Sequence, residues 1–508
     1  MKLVALALAL SAFTLVALFA GDGSLLLALG PVLVFALAFA VSKLPLRVPF
    51  LVVTFLALTL ENPADVPAQG LWKSPLYTPG ALFLAHLNVT LPHKSLLFSG
   101  LDVVLVYLFA VVAWRGASGS QIDGAPRLAP RPMRVLALVS LGAVAWIWTF
   151  GMLRGDADVA SSLWQVERVL YLPLLFFAFQ GALRPRDAKA LAGVIVAAAC
   201  LKACVALYVR QTIVPPPGKE LLYATTHPDS MLFAGAACTL VALYLEHRDR
   251  RHKLVALLVL PLIVAGMIAN SRRIVWVELA AGLAVVFGLT PWTRAKRAIA
   301  RAAVVASPLA VVYAVLGWSA TSGFFGPVHT IRTLVDSDTD GSTTWRDWEN
   351  YDLVYTIRHN PLFGVGYGHG YVEYVKLPDV SREYALERFA PHNSILGLWA
   401  YGGVLGFAAL WTLLVAGIFF GARAYRNAER AHDRAALLAA IVAIVVYVVH
   451  CYGDMGLGTW VGVFTVAPAL AIVGQLAVTT NAWPARLHPV EAEPIHVRVT
   501  ARPVPEAS

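Results

Sequence analysis

Charged residues are scarce in this chain. Only 14% of its 508 residues are Asp, Glu, Lys or Arg, against roughly 25% in soluble domains, which excludes a soluble enzyme with an ordinary polar surface. Cysteine is scarcer still. Cys200, Cys204, Cys238 and Cys451 lie in apolar runs and are too few for a disulfide framework; Cys200 and Cys204 share a helix face, where small thiols pack. Short alternating strands are missing, which excludes a β-barrel. There is no nucleotide-binding motif and no internal repeat of the kind that marks many transporters.

What is abundant is apolar: 58% of residues are hydrophobic and the mean hydropathy is +0.68. About 20 apolar residues cross a bilayer. Such runs recur at 3–20, 24–42, 46–60, 99–114, 134–153, 162–183, 189–209, 229–246, 254–270, 274–290, 302–318, 393–421, 437–452 and 457–478. The expectation is an all-α polytopic membrane protein with about 12–14 transmembrane helices. The opening run also has the form of a cleavable signal peptide, but the topology closes when it is kept as the first span.

The connecting loops fall into two alternating sets. One is basic: "KLPLR" at 43, the loop from 115, "RPRDAK" at 184, "HRDRRHK" at 247, the loop from 291 and "RAYRNAERAHDR" at 423. With Lys2 and the C-terminal tail this set holds 25 of the 40 Lys and Arg. The other set is neutral or acidic. The positive-inside rule places the basic set and both termini in the cytoplasm. The net charge of +10 therefore reads as topology, with no nucleic-acid partner implied. The long loop 319–392 then faces the opposite side, the periplasm in a Gram-negative cell. The tail 479–508 is rich in Pro and Val and lacks a helical period, which predicts disorder.

A loop of that length tends to carry function. From Ser342 it reads "STTWRDWENYDLVYTIRHNPLFGVGYGHGY". Thr344 with Asp347 has the form of a capping box. Trp345, Trp348, Tyr351 and Tyr355 recur near helical spacing, which predicts an interfacial helix that Asn360-Pro361 ends. Arg346 and Asn350 share another face. "GVGYGHG" at Gly364 to Gly370, with Gly366 at its centre, reads either as backbone closely approached by a glycan or lid, or as a plain flexible turn.

Three further features are polar at membrane depth. Arg272 and Arg273, in "ANSRRIVW", sit at the loop-side boundary between two spans, and Arg168 lies a few residues into the span "SLWQVERVLYLPLLFF". Charges there mark a functional site with a partner, or they snorkel to headgroups. As a site, such arginines suit a lipid-anchored anion, because guanidinium binds phosphate oxygens bidentately; a polyprenyl-diphosphate-linked donor has that character. "PHN" at 391 then places His392 at the edge of an apolar helix. It is either a general base for an acceptor hydroxyl or a polar neighbour of Asn393, which is a good N-cap. His359, His369 and His392 lack the spacing and carboxylates of a zinc site, so no metal and no cofactor is expected.

"NSRR" at 270, "WRDWENYDLVYTIRHNPLFGVGYG" at 345 and "PHNSILGLWAYGGVLG" at 391 together resemble the O-antigen ligase/polymerase superfamily of bacterial envelope glycosyltransferases. The resemblance is specific over about 265–420, including the spacing from His392-Asn393 to Gly403. It divides the chain into N-terminal helices (1–264), a ligase/polymerase-like core (265–420), C-terminal helices (421–478) and the tail. It implies a metal-independent, inverting transferase of the bacterial inner membrane, in lipopolysaccharide or exopolysaccharide biosynthesis. His392 would be the general base, Arg272 would hold the donor diphosphate, and Arg346 would be a second arginine near the site. Arg273, Arg168, Asn393, Gly366 and Trp348 are candidate substrate-binding residues. The donor would be an undecaprenyl-diphosphate-linked glycan and the acceptor lipid A core or another lipid-linked repeat. Arg273 departs from the small residue usual in the family. The alternatives are a protein O-oligosaccharyltransferase and a transporter or flippase of an anionic lipid-linked glycan; the latter would show broken helices and charges near mid-membrane.

Overall fold

Each predicted span from residue 46 onward becomes one helix in the computed structural model. The structure describes residues 38–63, 74–90, 96–118, 129–213, 223–247, 249–320, 341–377 and 388–484, with isolated residues between 11 and 36 and Phe325, Val328, Arg332 and Leu386. The expected first two spans, 3–20 and 24–42, lie largely outside them, as do most of the expected disordered tail and parts of the long loop.

In chain order the helices are α1 (Arg47–Thr59), α2 (Tyr77–Leu84), α3 (Gly100–Ala117), α4 (Arg131–Leu153), α5 (Val159–Ala182), α6 (Ala188–Thr212), α7 (Asp229–His247), α8 (Arg250–Asn270) and α9 (Ile274–Leu289). They continue with α10 (Arg294–Gly317), α11 (Gly341–His359), α12 (Ser394–Asn427), α13 (Ala431–Gly453) and α14 (Trp460–Thr479). Among the described residues there is no strand ladder, only an isolated bridge between His86 and Ser99. Among the described residues, nine helices are long and apolar enough to cross a membrane. The chain is an all-α multi-pass membrane protein.

Lipid is as apolar as leucine, so helices in a bilayer associate through close packing and shared hydrogen bonds. Small residues make that possible here. A methyl group on Gly417 would meet Leu470, one on Gly421 would meet Ile441, and one on Gly282 would meet Cys238 and Val442. These contacts draw α12, α13 and α14 together, and α9 against α7 and α13. At the end with basic loops, Glu246 fastens the bundle by accepting from Tyr425 at 2.6 Å and Arg434 at 2.6 Å.

α12 is broken at Gly403, whose φ of 60° and ψ of −169° are non-helical. The Asn-Pro-Leu-Phe-Gly segment after α11 fills the break. Val404 N donates to Pro361 O at 2.8 Å, while Val365 N and Gly366 N donate to Ala400 O and Tyr401 O at 2.9 Å. The inserted backbone thus satisfies the groups that the broken helix frees, as hydrocarbon requires. A Cβ on Gly403 would lie 2.2 Å from Leu362 C, so only glycine fits. The break fixes the first half of α12, which begins at Ser394, against α11.

α11 begins at Gly341, so Thr344 lies inside the helix and the expected capping box does not start it. Its buried face is Glu349, Asp352, Leu353 and Thr356, whereas Trp348 and Tyr351 are exposed. Asp352 accepts from Tyr374 N at 3.0 Å and Val375 N at 2.8 Å, which ties the following loop back onto the helix. Leu353, Tyr371, Leu377 and Ala400 form a small apolar cluster between that loop and α12.

Candidate functional site

Four connections converge at the end of the bundle opposite the basic loops: Tyr223–Asp229 before α7, Ser271–Arg273 between α8 and α9, α11 with the loop to α12, and Asp454–Thr459 between α13 and α14. The connection from α4 to α5 joins them, with Asp158 N donating to Gly368 O at 2.9 Å.

The first arm is built on His392. Asn393 caps α12, accepting from Leu396 N at 3.2 Å, so the cap reading of that residue holds. His392, immediately before it, is held from α11. Its backbone N donates to Glu349 Oε2 at 3.0 Å, and its Nδ1 lies 3.4 Å from Glu349 Oε1. Trp345, one turn earlier on α11, stands edge-on to the imidazole at 5.0 Å between centroids. Glu349 is fully buried, and the His392 side chain keeps 24% of its surface exposed. A carboxylate at Nδ1 favours the tautomer protonated there and makes Nε2 the basic nitrogen. Local sequence singled out Arg346 and Asn350 on this helix but not Glu349.

The second arm is built on Arg272. Its side chain is buried, with 3% of the residue exposed. Tyr223 stacks on the guanidinium, 3.2 Å from Cζ to the ring centroid. His227 Nε2 faces Arg272 Nη1, and His227 Nδ1 faces the Asp454 carboxylate. Among the described residues, Nε and Nη2 of Arg272 have no hydrogen-bond partner. Burial lowers Arg272 to about 10, so it remains a cation. Burial alone would raise the Asp454 carboxyl, but the facing imidazoles and Arg346 hold it well below its ordinary value.

Arg346 joins the two arms. It stands one turn before Glu349 on α11 and is half-buried. Its charge acts on His227, Arg272 and Asp454 alike. A direct fastening lies beneath: Ser394 Oγ, two residues after His392, donates to Asp454 O at 3.1 Å and accepts from Leu457 N at 3.3 Å.

The remaining candidates stand elsewhere. Arg273 is half-buried at the start of α9, where its neighbour Arg272 is buried. Arg168 is buried in a separate cluster, with its Cζ 4.5 Å from the Trp164 ring centroid and 5.4 Å from that of Trp460, and Nη1 3.8 Å from Glu167. Trp348 is 41% exposed. Gly366 is a packing residue: at φ +82° its Cβ would fall 2.4 Å from Gly151 Cα. "GVGYGHG" is thus closely approached backbone, but by α4 and α12 of this same chain. His369 Nε2 contacts Gly151 O at 2.9 Å and His359 Nδ1 contacts Tyr355 O at 2.9 Å. No group of three His, Cys, Asp or Glu able to hold a metal ion occurs among the described residues.

A half-open cavity adjoins the first arm, with an empty volume of ≈ 430 Å³ that includes its mouth. Its walls include Trp164, Pro391, Gly397, Met455 and Leu457, and are mainly apolar.

Arg272, Arg346 and His392 therefore meet at one end of the bundle, on elements from the middle of the chain. Residues 256–411 match the family model of O-antigen ligase. The match supports a relationship of that stretch to the O-antigen ligase/polymerase superfamily, and with it glycan transfer in general. The stretch contains α9, α10, α11, most of α8 and the broken first part of α12, hence all three residues. His227 and Asp454 lie outside it. No curated protein matches the chain.

Proposed function

We propose that the chain transfers a glycan from an undecaprenyl-diphosphate-linked donor to a lipid-linked acceptor on the periplasmic face of the bacterial inner membrane. The observation that carries this reading is Arg272, a buried cation whose Nε and Nη2 lack partners among the described residues, with the charge of Arg346 acting on it. A buried guanidinium with an unoccupied fork calls for an anion. A diphosphate anchored by its lipid tail reaches it from the bilayer.

Arg272 and Arg346 bind the diphosphate and stabilise the charge that grows on it as the glycosidic bond breaks. The acceptor hydroxyl oxygen attacks the anomeric carbon from the face opposite the diphosphate, which inverts that centre. Its proton passes to His392 Nε2, while Glu349 steadies the imidazolium that forms. The C–O bond to the diphosphate breaks with its electron pair, and polyprenyl diphosphate leaves. The apolar cavity beside Pro391 suits a lipid-borne portion of a substrate. No cofactor takes part.

The break in α12 is what a transporter of the same lipid would also show. Against that reading, residues 361–366 fill the break and bond to the Ala400, Tyr401 and Val404 backbone. The test is a transfer assay with purified protein, a defined polyprenyl-diphosphate glycan and three acceptors: core lipid, a second lipid-linked repeat and an acceptor peptide. Transfer to one of them identifies the enzyme as ligase, polymerase or protein glycosyltransferase. Movement of labelled donor across proteoliposomes with transfer to none replaces the enzymatic reading by the transporter.

A further inference from the structure

We infer that His227, backed by Asp454, is a positioning residue that aims the Arg272 guanidinium at the donor diphosphate. This rests on the reading of Arg272 above and adds two residues outside the matched stretch.

The bonding around Arg272 is directional. Every guanidinium N–H is a donor, so His227 Nε2, which faces Arg272 Nη1, accepts and carries no proton. The imidazole proton is then on Nδ1, which faces the Asp454 carboxylate. One tautomer satisfies both contacts, and the carboxylate selects it. The contact engages Nη1 and leaves the edge formed by Nε and Nη2, the two atoms without partners among the described residues. Those N–H groups point the same way and form the fork that grips phosphate oxygens in pairs. Tyr223 covers one face of the guanidinium and prevents it from tilting.

The support is itself fastened at several points. Thr225 N donates to Asn270 Oδ1 at 3.0 Å, tying the segment to the end of α8. Thr226 donates from N and Oγ1 to Asp229 Oδ2 at 3.1 and 3.0 Å. Buried Lys202 of α6 lies 3.4 Å from that same oxygen. Asp454 N donates to His450 O at 2.8 Å, and its carbonyl accepts from Ser394. The cation arm is thereby registered to the base arm through Ser394, two residues from His392.

The charged and titratable groups facing His227 are Asp454 from the α13–α14 connection, Arg272 from the α8–α9 turn, Arg346 from α11 and Tyr223 from its own segment. His227 is half-buried, with 31% of its side chain exposed; desolvation by the surrounding protein is the largest influence and, with the two guanidiniums, lowers it to about 4 against the pull of Asp454. The imidazole is neutral at working pH, as an acceptor for Arg272 must be.

The test uses the full chain in nanodiscs with polyprenyl-diphosphate-linked glycan, comparing wild type, His227→Ala, His227→Gln, Arg272→Ala and the double variant His227→Ala/Arg272→Ala. Loss of a charge-assisted hydrogen bond predicts a fall in donor kcat/KM of about tenfold or more in His227→Ala. His227→Gln, which retains one acceptor and one donor, recovers most of it. In the Arg272→Ala background, His227→Ala adds no further loss, because its effect runs through that guanidinium. Losses that multiply, or an unchanged kcat/KM in His227→Ala while Arg272→Ala is inactive, overturn the role of His227 alone. Full activity in Arg272→Ala removes the diphosphate reading and this inference with it. Thermal unfolding of each variant separates misfolding from mispositioning.

Discussion

His392 and His227 are built alike and placed differently. Each imidazole has a buried carboxylate at Nδ1, Glu349 for His392 and Asp454 for His227. What stands near the rest of the ring separates them. His227 meets a guanidinium, which fixes it as an acceptor and leaves it no proton chemistry to do. His392 stands beside Trp345; exposure does not separate the two, since 24% of the His392 side chain and 31% of the His227 side chain are reachable. The same pair of groups thus makes a proposed base in one setting and a prop for a cation in the other. A third pair, His450 Nδ1 with Glu278 Oε1 at 2.7 Å, is fully buried between α13 and α9 and fastens helices. Residue type supplies the chemistry, but neighbours assign the task.

The comparison can be broken from the outside in. Gly403→Ala has the largest expected effect: it forces a Cβ into the Leu362 backbone and strains a conformation that only glycine adopts. We expect a cost above about 3 kcal/mol, seen as loss of folded protein and of both arms together. Retained folding with transfer intact would show that the break does not set the site. Next, His392→Ala leaves the cation arm in place and lowers kcat by roughly 10²–10⁴-fold. Donor affinity, read by titration with the lipid-linked donor, should stay near wild type. Equal losses in affinity and turnover would merge the two arms into one.

Glu349→Gln should act more mildly, about ten- to hundredfold in kcat, the range for removing a partner that orients a functional histidine. A change confined to KM would mean that Glu349 serves binding instead. The smallest effect is a pH slope in stability. His227 sits near 4 in the folded chain against an ordinary value of 6.5. Between those values the unfolded chain takes up a proton that the folded chain refuses, so stability falls as pH drops from about 6.5 to about 4 and levels off below. Thermal unfolding across that window should flatten in His227→Gln; an unchanged slope would assign it to other groups.

Two helices show how much of the fold was legible. α14 and the span Lys296–Gly317 of α10 have the same mean hydropathy of 2.0, yet 94% of the α14 window is buried in protein and none of the α10 window. Hydropathy finds the spans, because lipid and protein interior are equally apolar, and for the same reason it cannot tell them apart. The site divides similarly. "NSRR", "WRDWENYD" and "PHNS" were readable because their spacing is local. Arg272 emerges as the buried member of its pair and Arg273 as the half-buried one, just after the αL turn at Ser271, with φ of 59°. Gly366, a candidate for glycan approach, serves helix packing. Glu349, His227 and Asp454 passed unnoticed: a carboxylate one turn from an arginine, a histidine in a short loop and an aspartate after a helix look ordinary alone.

The sequence by itself determined that the chain is an all-helical membrane protein, roughly where its helices lie, and that Arg272, Arg346 and His392 lie in a stretch that resembles O-antigen ligase. Those properties depend on runs, local spacing and charge, which survive in one dimension. Only the tertiary structure decided which arginine is buried, which carboxylate faces which imidazole, and that residues 361–366 complete a broken helix. These partners lie 43 residues apart for Glu349 and His392 and 45 for His227 and Arg272. A buried polar group must find its partner wherever packing supplies one, and the order of the chain does not record where that is.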